Sequence, residues 1–333
     1  MSSSSFVIQL ADLNIEICGY NDTDPVGLHD LKRLFCHHEV ENDVAARHRV
    51  VLCPSSLFNI PSDTTTQWVS TYIGVAAPMP RRHRFPFVHR KEVPQYSGTG
   101  KVVCYTDSHQ LTDYFVPEDA DWRIEHRVLE HVTYVYFDGP IESSDGLPSM
   151  LIHIIGSQYG YYLLYASCVS VNGEALLFTG NSGVGKTTLC LDLVKQGATY
   201  LGDDLVLVYI KGGQAMTGSL LFPVKSYSDR THTHKKTVDV VAQQRPPLNV
   251  PLKSIFLLRR TYSPKDESYI KPMLGETMFE MMLKLTNKAN THADGHHFVD
   301  TLSSICDSVP CRYLFYGDRD KTTISFIVDN VQR

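Results

Sequence analysis

The stretch Ala175-Leu-Leu-Phe-Thr-Gly-Asn-Ser-Gly-Val-Gly-Lys-Thr-Thr-Leu-Cys-Leu-Asp-Leu-Val-Lys-Gln-Gly197 decides how the second half of this chain folds. It opens with an apolar run suited to a buried strand, passes through Gly180-Asn-Ser-Gly-Val-Gly-Lys-Thr187, and continues as an amphipathic helix that Gly197 stops. Strand, glycine-rich loop and helix in that order are the setting in which G-x-x-x-x-G-K-T works as a P-loop. Gly180, Gly183 and Gly185 permit positive φ and close backbone approach, so that the N–H groups of the run Asn181, Ser182, Val184 and Thr188 can converge on an anion. The helix start adds its unsatisfied N–H groups. Lys186 can reach the outer phosphates and the Thr187 hydroxyl can ligate Mg2+, so the implied ligand is ATP or GTP with its metal.

One helix and one strand further on lies Tyr200-Leu-Gly-Asp-Asp-Leu-Val-Leu-Val-Tyr-Ile210. Two adjacent carboxylates beside a metal nucleotide have separate jobs available: one can hold the cation and the other can accept a proton from an attacking hydroxyl. Read alone, an Asp-Asp pair at a strand edge is a solvated turn. The short distance from Lys186 to Asp203 and Asp204 turns the reading toward function.

Gly180-Asn-Ser-Gly-Val-Gly-Lys-Thr-Thr-Leu189 followed by Leu201-Gly-Asp-Asp204 resembles the nucleotide site of the HPr kinase/phosphorylase family, and is also similar to that of ATP-dependent phosphoenolpyruvate carboxykinase. The resemblance extends upstream through Leu164 to Gly173 and downstream to Lys253–Arg260, so it covers about the second half of the chain. It implies ATP as the nucleotide, with Asp203 as general base on a seryl hydroxyl and Asp204, with Thr187, on the metal. One departure is Tyr165, where both families commonly place a histidine. Tyrosine is a poor neutral metal ligand and does not titrate near pH 7. A second metal site of the carboxykinase kind and reversible phosphorolysis are therefore not expected here, and the carboxykinase needs a considerably larger chain.

The bulk properties bound the rest. With 333 residues, 43% of them apolar and 20% charged, the chain can bury a sizeable core and suggests two domains. Gly139-Pro-Ile-Glu-Ser-Ser-Asp-Gly-Leu-Pro148 is its most linker-like segment, which sets the expected boundary: an N-terminal α+β domain over 1–145 and a kinase-like P-loop domain over 146–333. The net charge of −5 gives no general basic field for nucleic acid or anionic membrane. No run approaches the ~20 apolar residues of a membrane helix, and the N-terminus lacks a secretory pattern, so a cytoplasmic protein is expected. The eight cysteines never form Cys-x-x-Cys and read as buried reduced thiols.

Strands are expected within Phe6–Ile17, Arg49–Leu52, Trp68–Val75, Lys101–Thr106 and Arg127–Phe137, with a short helix near Leu28–Phe35. Cys36-His-His-Glu39 reads as a polar surface turn rather than a metal site, since adjacent histidines diverge on either a helix or a strand. The proline-broken basic stretch 76–91 reads as a loop, and Gly98-Thr-Gly-Lys101 lacks both the first glycine and the helix of a P-loop. Ser149–Leu164 reads as an aromatic-rich helix broken near Gly156 or Gly160. Arg230, with Lys225, His232, His234 and Lys235, lies in a hydroxyl-rich cationic run suited to substrate contacts, and Arg259 and Arg260 end an apolar strand where a guanidinium can meet phosphate. A helix is expected over Gly275–Thr286, and closing strands over Cys311–Tyr316 and Thr322–Val328.

The fold expected is thus α/β, with a C-terminal P-loop domain of the HPr kinase/phosphoenolpyruvate carboxykinase-like type and a smaller N-terminal domain. The activity expected is ATP-dependent transfer of the γ-phosphoryl group to a hydroxyl, foremost a serine of a peptide or small protein. A small-metabolite kinase, acting on an amino acid or sugar, and a nucleotide-dependent binding switch are the alternatives. Nothing in the sequence selects the acceptor or fixes the oligomeric state, and a homo-oligomer stays open.

Overall fold

The computed structural model describes residues 5–22, 26–41, 44–61, 64–69, 102–107, 111–117, 120–141, 146–181, 183–221, 224–227, 235–238, 247–261, 268–285, 295–317 and 327. Their strands form two large mixed sheets, an α/β arrangement. The stretch 76–91, the Gly98–Lys101 tetrad, Ser182, Arg230, His232 and His234 lie outside the described residues, as does nearly all of the expected last strand.

The first sheet draws on the N-terminal half. Strand Leu13–Gly19 alternates buried Leu13, Ile15 and Ile17 with half-exposed Asn14, Glu16 and Cys18, the period-two signature of a strand with one face on the core. It pairs antiparallel with Ser5–Leu10 across a turn in which Ala11 takes φ 52°, and parallel with His48–Pro54, which in turn runs parallel to Val132–Phe137. The expected strand 127–137 is two: Arg123–Arg127 and Val132–Phe137 pair antiparallel about a turn in which His131 takes φ 55°.

The second sheet carries the glycine-rich loop. Three of its strands run parallel, Glu174–Thr179, Val250–Thr261 and Cys311–Gly317. Helix Lys186–Lys195 covers one face, setting Leu189, Cys190 and Leu193 against Leu176, Phe178, Phe256, Leu258 and Leu314. Helices Gly275–Leu285 and Gly295–Ser308 cover the other, with Met278, Met282, Leu302 and Ile305 against Leu177, Ile255 and Leu257. Sandwiching the parallel strands this way explains why they read as continuous apolar runs instead of alternating ones.

Helix Leu147–Gln158 is buried along nearly its whole length, as a helix apolar all round must be. The expected continuation to residue 164 is not helical. Gly160 takes φ 78°, the helix stops, and Tyr162–Leu164 pairs with Val206–Val208 as a strand of the second sheet. This helix joins the two sheets, because one apolar cluster runs from Phe6, Ile8 and Leu31 through Leu151 and Ile155 to Leu163, Leu207 and Leu220. His38 also crosses between them. It is buried, not part of a polar surface turn, and its Nε2 accepts the backbone N–H of Leu221 at 3.1 Å. Burial lowers its pKa to about 4.

Candidate functional site

The loop 180–185 leaves the C-terminal end of strand Glu174–Thr179, where the parallel neighbours Val250–Thr261 and Cys311–Gly317 also end. Ligands of α/β sheets are generally met at such carboxyl ends, with a helix N-terminus facing them. Two glycines carry the turn. Gly180 takes φ 141° with the Leu258 carbonyl 3.3 Å from where a Cβ would stand. Gly185 takes φ 103° at the helix N-cap, and a Cβ there would run into the Tyr316 hydroxyl. Both conformations are costly for a residue with a side chain.

Tyr316 braces the loop from the adjacent strand: its hydroxyl donates to the Val184 carbonyl. Nothing in the sequence marks it, since a tyrosine in a C-terminal strand reads as core, and only strand order brings it beside the loop. Arg259 and Arg260 divide. Arg260 is paired in register with Tyr316 and Arg259 with Phe315, and neighbouring residues on a strand point to opposite faces. Arg260 therefore shares the face of the loop, while Arg259 shares the face of Tyr313 and Phe315, with its guanidinium 5.9 Å from the Tyr313 ring centroid.

Lys186 is buried, and its Nζ donates to the carbonyls of Gly180 at 3.1 Å and Asn181 at 3.3 Å. The Thr187 hydroxyl meets both oxygens of Asp203, at 2.8 and 3.0 Å. Asp203 follows directly on strand Thr199–Gly202, whose Gly202 pairs with Cys168. That pairing brings Ser167 alongside, and its hydroxyl also donates to Asp203. Ser167 is fully buried and is a second site residue without a sequence signal of its own. Burial foremost, and then the charge of Asp204, raise the Asp203 pKa, against the two hydroxyl donors and Lys186, which lower it. Asp204 is exposed and takes φ 60°, a left-handed conformation that aspartate tolerates better than most residues. The structure thus gathers Lys186, Thr187, Asp203 and Asp204 at one end of the sheet.

The comparison with protein families falls on this region. Residues 161–242 match the family model of the HPr Serine kinase C-terminal domain. Among curated proteins, an HPr kinase/phosphorylase of Chloroherpeton thalassium is 27% identical over 197 residues, 54% of this chain and 51% of its own length. One of Limosilactobacillus reuteri is 33% identical over 79 residues, 24% of this chain and 25% of its own. One of Pelodictyon phaeoclathratiforme is 41% identical over 59 residues, 17% of this chain and 18% of its own. The chain thus spans about half the length, or less, of the curated relatives it matches. A solved HPr(Ser) kinase/phosphatase of Coxiella burnetii aligns over 51% of this chain and 93% of its own, at 11% identity and a TM-score of 0.32. The matched region is HPr kinase-like, as its motifs led one to expect.

Proposed function

We propose that the chain is an ATP-dependent phosphotransferase whose loop 180–187 is a P-loop of the kind shared with the carboxykinases, and whose acceptor is a serine hydroxyl of a small protein or peptide. The reading rests on one observation above the others: the Thr187 hydroxyl lies on the Asp203 carboxylate at 2.8 Å, next to a buried lysine at the end of the glycine-rich loop. The likeness to HPr kinases over the same residues supports it, and makes HPr the first acceptor to try. The proposed division of the chain gives 1–145 to an α+β unit and the nucleotide to 146–333, with one apolar cluster shared between them.

A hard divalent cation suits the donor set, since Thr187, Asp203 and Asp204 offer only oxygen. Bound there with Thr187 and Asp204, Mg2+ would neutralise charge on the phosphates. Lys186 and the loop amides stabilise negative charge on the outer phosphates. Asp203, with its raised pKa and two hydroxyl partners that fix its carboxylate, is the proton acceptor for the attacking hydroxyl. Of Arg259 and Arg260, Arg260 shares the face of the loop, which favours it as a contact for transferred phosphate.

The test is transfer of labelled phosphate from ATP, with Mg2+, to HPr, serine peptides, free serine and sugars, with Lys186→Ala as the control. Transfer that is lost in the variant is the expected result and names the acceptor class. Tight nucleotide binding without transfer to any of them would make the protein a nucleotide-dependent switch instead. Removal of the Tyr316 hydroxyl in Tyr316→Phe leaves the Val184 carbonyl without that donor. A net hydrogen bond of ~1 kcal/mol corresponds to about five-fold weaker ATP binding, with the rate at saturation retained. Nucleotide titration reads the first and steady-state kinetics the second; unchanged affinity would leave Tyr316 with a packing role only.

A further inference from the structure

We propose that Tyr165 is a positioning residue for Lys186, acting through the face of its ring, and so sets how firmly the loop grips the outer phosphates; the inference rests on the nucleotide reading above. Tyr165 falls between two strands of the second sheet, Tyr162–Leu164, which pairs with Val206–Lys211, and Ala166–Val171, which pairs with Glu174–Thr179. The chain changes partner strand at this residue. Its carbonyl accepts the Thr179 hydroxyl at 3.2 Å, which ties the backbone of Tyr165 to the last strand residue before the loop.

The ring so placed lies against the ammonium of Lys186, with Nζ 4.2 Å from its centroid. At 5% exposure the lysine has exchanged water for two loop carbonyls and a π face. Cation–π attraction is strongest under such desolvation. The contact also removes rotamers that a long, flexible side chain would otherwise lose on meeting phosphate, so binding costs less. A phenol ring carries no charge throughout the neutral range and so presents the same negative face to the ammonium at every pH there. The action belongs to the ring and not to the hydroxyl, which gives the inference its sharpest consequence: phenylalanine should serve and leucine should not.

The experiment uses the full chain with isotope-labelled lysine. The Lys186 ε resonances, assigned by their absence in Lys186→Ala, are expected to be shifted upfield by the ring in the wild type and in Tyr165→Phe, and to return to ordinary lysine positions in Tyr165→Leu. Titration with Mg·ATP is expected to give an affinity within two-fold of wild type for Tyr165→Phe and about ten-fold weaker for Tyr165→Leu, which corresponds to ~1.4 kcal/mol. Resonances that stay in place in Tyr165→Leu, wild-type affinity in that variant, or a loss in Tyr165→Phe as large as in Tyr165→Leu would each overturn the inference. A wild type that binds no ATP would refute the nucleotide reading, while the resonances would still decide whether the ring holds the lysine.

Discussion

At pH 5 the folded protein is expected to be about 6 kcal/mol less stable than at pH 7.5, through three buried histidines each worth about 2 kcal/mol by the linkage of pKa to folding. Burial lowers His38 to about 4, His48 to about 2 and His126 to about 3, against an ordinary value near 6.5. These side chains stay neutral in the fold while the unfolded chain takes up their protons. Stability from these groups is therefore present above pH 6.5 and is lost as pH drops from there, levelling off for His38 near 4 and only lower still for His126 and His48. Asp203 works in the other direction, since a raised carboxyl takes its proton first in the folded state and offsets part of the loss at the acid end.

The contacts explain why the histidines resist charging. His48 Nε2 and His126 Nδ1 meet the same Thr133 hydroxyl at 2.8 and 2.9 Å, so one imidazole accepts its proton and the other donates to its oxygen. The two rings stack at 5.6 Å between centroids, a poor arrangement for two cations. Urea unfolding at pH 7.5 and pH 5 measures the difference, and an equal midpoint at both would refute it. His126→Gln should remove about a third of the slope. A loss of ~6 kcal/mol is of the same order as the whole stability of an ordinary domain, so acid should unfold this protein in the range where most domains are intact.

Asp203→Asn is expected to lower phosphoryl transfer by roughly 10²–10⁴-fold, the contribution of a positioned general base. Mg·ATP binding should stay nearly unchanged, because Lys186 and the loop amides remain. The amide is isosteric and its oxygen can still accept from Thr187 or Ser167. It also relieves the burial and the Asp204 repulsion that disfavour the charge, so the variant should melt no lower than wild type. Activity and stability then move apart, which separates this outcome from simple unfolding. If Mg·ATP binding falls together with transfer, Asp203 serves the metal, as its contact with Thr187 also allows, and the base is to be sought in Asp204.

Much of the local structure was legible because it depends on neighbours in sequence. The strand, glycine loop and helix at 174–195 follow from apolar runs, glycines and the stop at Gly197. The hairpin at 5–19 follows from alternation, and the HPr kinase likeness from the motif and its spacing to the acidic pair. The helix expected over 149–164 went astray at Tyr161 to Leu164 because aromatic and aliphatic residues suit a buried strand as well as a buried helix. Pairing with Val206–Val208 settled the matter, and that pairing joins residues more than forty positions apart.

By itself, then, the sequence singled out Gly180 to Thr187 with Asp203 and Asp204 as the residues whose chemistry suits phosphate and metal, which is the basis of the proposed function. Only the tertiary structure decided which side chains hold those groups in place. Ser167 reaches Asp203, Tyr316 reaches the loop and Tyr165 reaches Lys186 through strand order and register, and His38 reaches Leu221 across two sheets. The same register put Arg259 and Arg260 on opposite faces. Positions far apart along the chain meet only when the sheets form, and no local pattern of residue types records which strands will be neighbours.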